Sequence, residues 1–558
     1  MLNDLPVETA LSVLAYLPIP SIHALQLVSK AIDQLVKTNE STIYRFAAVV
    51  HDFIPSSNIE LDQLQLFGVP VDVLRGMELL WREFCRRMFR LERNWEGLGS
   101  SELVCFPSAG AQPAYIKVDE NEGFLINESN TTNGLVIVDM DDNVLWTQPW
   151  DFHQTRGIEY ASGYLSFNTP GWTEIWRLAS IPDSYPPSPA DSISLPCPNA
   201  SQLWRSQMCF ESHRETYPKG HFVPHTAFPS HPDDNIDHME FPTLLVKRDD
   251  EKALFYDIPT RKLIQKVPLQ SQAMQSPSGE VTMLPPLGRL WTLSFNERHI
   301  FMSSLDTGIV RVLERDTGKC ILNMRNGDYG SRSFRCWEYS LNDPVKMEGV
   351  ATRLKAIEIP PTEASVVPDY DPAQLTSKEV FFSSCGKHIV SCNSRWNSTN
   401  IHSNQLIVVR DFAEIPLGNN TQLAEHAIQI ELETQVMAFS FDGNRRILVA
   451  KVRIVSSLHT EQSSPLLMID QITAKWSMGF SPFLSTSSGI MAISIPAYTE
   501  TRNVNATHLT KTGIYFEWEP SRVQWHHWNR KGQQGKGVVR GASMATSCVC
   551  GVNFAVWD

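Results

Sequence analysis

The chain has 558 residues, 42% of them hydrophobic and 20% charged, which is ordinary globular composition and excludes a fibrous or wholly disordered protein. Lys plus Arg total 48 against 61 for Asp plus Glu, a formal charge of −13 that excludes a chain-wide basic footprint for nucleic acid. Residues 4–50 read as helices. Pro6 suits a first helical turn, and Asp4 and Glu8 place negative charge at its positive end. Leu11, Leu14 and Leu17 follow, and Pro18 and Pro20 are expected to stop this helix. Ser21 is the expected cap of a second helix carrying Ile22, Leu25 and Val28. Ser29 is the expected cap of a third, carrying Ile32 and Leu35. A longer helix is expected over 72–95, with Leu74, Met77, Trp81, Phe84, Met88, Leu91 and Trp95 at alternating steps of three and four. Arg75, Arg82, Arg86, Arg87, Arg90 and Arg93 cover its other faces.

Beyond Gly97 the pattern becomes short strands punctuated by polar turns. Residues 134–148, GLVIVDMDDNVLWTQ, read as strand, turn, strand. Residues 290–324 form the clearest unit: four alternating strands separated by turns at 296–298, 306–308 and 316–318. Stretches 378–415 and 435–476 are degenerate copies of it. A four-strand unit recurring along a chain is the signature of a propeller. Pro-rich inserts near 181–198 and 359–372 read as surface loops. The expected fold is therefore α+β and multidomain: N-terminal helices over 1–50, a helical linker over 51–97, and an all-β propeller of about seven divergent blades over 98–558.

The N-terminal block resembles the F-box family. Residues 5–32, LPVETALSVLAYLPIPSIHALQLVSKAI, carry the family's Leu-Pro-x-Glu at Leu5, Pro6 and Glu8. They also carry its spaced apolar residues and its Leu-x-x-Val-Ser-Lys run, at Leu14, Tyr16, Leu17, Leu25, Val28, Ser29 and Lys30. Ile32 stands where many members have Trp. Residues 307–321 resemble the third strand, turn and fourth strand of a WD repeat, although the internal units lack the Gly-His and Trp-Asp dipeptides. What the resemblance implies is a substrate receptor of a Skp–cullin–F-box ubiquitin ligase, with no catalysis of its own. It implies adaptor binding through Leu5, Pro6, Glu8, Leu14, Leu17, Pro18, Leu25, Val28, Ser29 and Ile32, a cullin and a RING subunit reached through the adaptor, and a protein substrate held by the propeller. Physical reasoning agrees, because a helical piece this small buries too little apolar surface to be stable without a partner surface. The rival readings are a scaffold that binds the adaptor outside a ligase and a quinoprotein-type propeller enzyme.

The candidate substrate-binding stretch is 522–540. Arg522, Arg530, Lys531, Lys536 and Arg540 interleave there with Trp525 and Trp528, without an acidic residue, and suit an acidic or phosphorylated peptide. The alternative is a solvated loop between strands. Other motifs fail as chemistry. DMDDN (139–143) begins like a calcium loop, but Val144 stands where the loop needs Gly, so a hairpin turn is expected. His213, His221, His225, His231 and His238 are irregularly spaced and read as a surface loop rather than a metal site. The ten cysteines include no CxxC pair. No cofactor, metal, nucleic-acid or membrane partner is expected, and the expected location is cytoplasmic, nuclear or both.

Overall fold

The computed structural model describes residues 6–555 apart from a set of intervals between elements, the longest being 184–195, 337–350, 360–374, 453–465, 470–489, 494–506 and 519–547. Six helices are described: α1 (Val7–Ala15), α2 (Ile19–Val28), α3 (Lys30–Thr38), α4 (Glu40–Val50), α5 (Trp81–Trp95) and α6 (Ala200–Glu211). The long helix expected over 72–95 is described as a helix from Trp81, preceded by a 3-10 turn at Leu61–Phe67. Ser29 caps α3 as expected, its Oγ accepting from the Ile32 N–H at 3.2 Å. Ser21 does not cap α2. That helix begins earlier, with Pro18 at its N-cap and Pro20 inside the first turn, where a missing N–H costs nothing.

The rest is antiparallel sheet. Sheet one joins Glu102–Phe106 to Cys548–Asn553, then Gly513–Trp518, then Thr507–Leu509. Four-strand meanders follow over 116–149 (sheet two), 156–229 (three), 237–268 (four) and 290–324 (five). Sheets six and seven contain the same meander over 375–432 and 435–493. Sheet six is widened by Arg332–Cys336, which runs parallel to Ala427–Leu432, and by Ala356–Ile359. Sheet seven is widened by Ala351–Leu354. The four strands expected over 290–324 are all present, with Asn296 side-chain bonds shaping the first turn.

Sheets one to six pack face to face in succession. Phe106, Tyr515 and Val549 of sheet one meet Val118, Leu125 and Val136 of sheet two. Phe124 and Trp146 of sheet two meet Leu165, Trp176 and Phe222 of sheet three. Ile175 and Phe228 then meet Leu244 and Val246, and Leu245 and Phe255 meet Phe295 and Met302. Phe301 and Val312 continue to Ile389 and Ile407. Neighbouring residues such as Leu244 and Leu245, or Phe301 and Met302, serve opposite faces because side chains alternate along a strand. That double burial lets consecutive apolar residues on these strands both be enclosed.

The first strands of successive sheets approach one another. Arg156–Ala161 touches Asp237–Glu240, which touches Leu290–Phe295, which touches Leu375–Phe382; Gln435–Phe441 touches Thr507–Leu509, which touches Ile116–Asp119. The domain is propeller-like, with its first strands innermost. The helices sit on it directly. Leu14, Ile43, Tyr44, Phe84, Leu91 and Trp95 share one core with Ile514 of sheet one and Ala555.

The closing strand constrains its sequence tightly. A Cβ on Gly551 would lie 2.8 Å from the Tyr515 ring and 3.1 Å from Val104. Gly551→Val is expected to destabilise the protein by about 1–3 kcal/mol through overpacking. Thermal unfolding followed by circular dichroism checks this, and an unchanged midpoint contradicts the closing ladder.

Candidate functional site

The N-terminal helices divide their apolar residues between a core and a solvent face. α2, IPSIHALQLV, is apolar around most of its circumference. It buries Ile19 and Ile22 and half-buries Leu25 and Gln26. Pro20, Ala24 and Leu27 recur at i, i+4 and i+7 on its solvent side, and Val28 follows. Leu27 is 86% exposed and Val28 71%. Val13 and Tyr16 of α1 are also exposed, Tyr16 at 81%. A helix apolar on all sides is ordinarily enclosed; this one has a core on one side and water on the other.

The helix is held firmly in this pose. The Ile19 N–H, otherwise an orphan of the helix start, donates to His51 Nε2 at 3.1 Å. Gln26 donates to Asp33 at 3.3 Å and accepts from the Tyr44 hydroxyl at 3.4 Å. The Cys85 thiol donates to the Tyr44 carbonyl, and burial pushes its pKa up to about 12, so it stays protonated as a core group.

The structure places the expected adaptor residues in different surroundings. Leu14 and Ile32 are core residues, at 0% and 6% exposure, because the helices close on themselves and on sheet one. Leu17 and Leu25 are half-buried against that core. Ser29 is occupied as a helix cap. Pro6, Glu8, Pro18 and Val28 are exposed, and Leu5 lies outside the described residues. Tyr16, part of the F-box-like pattern, is exposed, and so are Val13 and Leu27, which the sequence reading did not single out. The signal for Leu27 was the apolar composition on every side of α2.

The stretch 522–540, with Arg522, Trp525, Trp528, Arg530, Lys531, Lys536 and Arg540, lies outside the described residues. The hairpin expected at 139–143 is present, the Asp139 carboxylate accepting from the N–H groups of Asp141 and Asn143. The histidine stretch is not one surface loop. His221 packs edge-on against Trp146, and His225 lies on the buried strand Phe222–Pro229. His238 lies on an innermost strand and meets Phe295. Among the described residues no three His, Cys, Asp or Glu side chains are grouped to hold a metal ion, and no helix is long and apolar enough to cross a membrane.

The innermost strands carry an ionic contact, Lys117 Nζ to Glu159 Oε2 at 3.0 Å, between sheets two and three. His508 and His238 flank it, and burial keeps both rings neutral, His508 down at about 3. This arrangement couples neighbouring sheets but offers no nucleophile with an adjacent base.

No family model matches the chain, and no curated protein does. The solved structures matched include propeller proteins. The β-propeller domain of Cps50 (Swd1) from Myceliophteria thermophila is 7% identical, with 79% of this chain and 95% of that one covered and a TM-score of 0.38. The N-terminal domain of Nup159 is 8% identical, with 81% and 92% covered and a TM-score of 0.35. Kluyveromyces lactis Hsv2 is 9% identical, with 60% and 77% covered and a TM-score of 0.29. The fold described above rests on strand order, register and packing.

His225 gives the domain a pH dependence. Its Nε2–H donates to the Ile258 carbonyl at 2.8 Å, leaving Nδ1 toward Arg261. Burial first, and then the Arg261 charge, lowers its pKa to about 4. The unfolded chain therefore binds this proton first as pH falls. Its stabilisation is complete above about pH 6.5 and declines toward pH 4, by about 3 kcal/mol in all. Denaturant unfolding of wild type and His225→Gln across this range is expected to show wild type losing its advantage as pH falls. A constant difference contradicts the assignment.

Proposed function

We propose that the chain is the substrate-binding subunit of a Skp–cullin–F-box ubiquitin ligase, with α1 and α2 docking the Skp adaptor and a closed propeller of seven blades receiving the substrate. The observation that carries this reading is the solvent-facing apolar strip of α2, Pro20, Ala24, Leu27 and Val28, on a helix whose other side is already in a core. Exposed apolar strips of this kind mark protein contacts. The F-box-like sequence over 5–32 supplies the identity of the partner, and the exposed Pro6, Glu8 and Pro18 at the starts of α1 and α2 extend the same region. The chain's contribution to the reaction is proximity. Holding a substrate lysine near a ubiquitin-charged enzyme turns a bimolecular encounter into an effectively intramolecular one.

The test is binding of purified full-length chain to purified Skp adaptor. Leu27→Asp with Val28→Asp removes two exposed apolar side chains without touching the core. Each is worth roughly 1.5–3 kcal/mol when buried at an interface, so affinity is expected to fall by about two decades or more. The thermal midpoint is expected to stay at the wild-type value. Unchanged adaptor affinity in the double variant contradicts the docking face, and failure of the wild type to bind adaptor contradicts the ligase reading.

A further inference from the structure

We propose that the outer face of α5 is a docking surface for an acidic protein segment. Arg82, Arg86, Arg90 and Arg93 fall at i, i+4, i+8 and i+11 of this helix, within about 80° of arc and over about 16 Å. The opposite side is fixed: Trp81, Phe84, Cys85, Leu91 and Trp95 are buried in the helical core. The helix therefore cannot turn its arginines away. Like charges at these spacings repel along a helix. The N-terminal half has compensation, since Arg86 lies 2.8 Å from Glu83 and Arg82 lies 3.8 Å from Glu40. In the C-terminal half no such pair is described for the stripe. Arg90 and Arg93 are exposed and pair with no acidic side chain among the described residues. A row of exposed arginines with no acidic partner among the described residues at its C-terminal end is what a surface awaiting a partner looks like.

The chemistry of the stripe selects the partner. Every cation on α5 is Arg and none is Lys. The guanidinium fork matches a carboxylate with two parallel hydrogen bonds, which an ammonium cannot. Along the helix axis the arginines of the stripe are about 6, 6 and 4.5 Å apart. Carboxylates on every second residue of an extended peptide are about 6.6 Å apart. A nucleic acid fits less well. The chain carries a net charge of −13, which repels a long polyanion more than a short one. A short peptide stays within the stripe, because screening confines the repulsion to about 10 Å at 0.1 M salt. This inference is independent of the adaptor reading, since the stripe is on α5 and the apolar strip on α2.

The test is fluorescence anisotropy of a labelled octaglutamate peptide with full-length protein. Saturable binding is expected at 0.1 M salt, weakening at least tenfold at 0.5 M. Arg90→Glu with Arg93→Glu is expected to weaken it at least tenfold at 0.1 M. Arg90→Gln with Arg93→Gln, which keeps the helix and removes only the charge, is expected to weaken it at least threefold with the thermal midpoint at or above wild type. Leu27→Asp with Val28→Asp is expected to bind the peptide as wild type does, whatever its effect on the adaptor. Absence of binding at 0.1 M, affinities within twofold between wild type and the Gln variant, or tighter binding of a single-stranded octathymidylate overturns the proposal.

Discussion

The antiparallel ladder between Glu102–Phe106 and Cys548–Asn553 is the contact on which the rest of the molecule depends. Without it, sheet one has three strands, all from one end of the chain. With it, the strand that follows the helices is fastened to the strands that finish the β domain. The register pairs Cys105 with Cys550 and Val104 with Gly551, and the missing side chain at Gly551 is what lets the Tyr515 ring lie over that pair. Closure brings distant parts of the sequence together at an entropic cost, and the apolar faces packed between successive sheets offset it.

The same ladder fixes the helices. α5 ends a few residues before the closing strand, and its Phe84, Leu91 and Trp95 share a core with Ile514 and Ala555. The helical block is therefore not a bead on a flexible linker. Its solvent-facing strip on α2 and its arginine stripe on α5 are held at set positions relative to the sheets. On the proposed reading this matters for function, because the effective concentration a receptor creates depends on how narrowly the distance between its two binding ends is defined.

Much of the architecture was legible because local and tertiary preferences agreed. Strand patterns bounded by Asn and Asp turns gave 134–149 and 290–324, and Ser29 gave the start of α3. Failures came where burial contradicted polarity. α6 was missed because its polarity is inverted. Gln202 and Arg205 point inward, where Arg205 pairs with the buried Glu174, while Leu203, Trp204 and Met208 face solvent. Glu174 also accepts from Asn199, Trp176 and Thr169, so four donors hold one carboxylate inside the fold. His225 was read as a loop residue for the same reason. The burial of Leu14 and Ile32 in the chain's own core was not legible, because helical spacing finds an apolar face but not what covers it.

The most direct measurement is hydrogen exchange of the full-length chain, alone and saturated with Skp adaptor. The proposed docking face predicts slowed exchange in peptides covering residues 7–28, with the innermost strands and the 290–324 sheet unchanged. Unaltered exchange across 7–28 at saturating adaptor, or protection confined to the sheets, would contradict it.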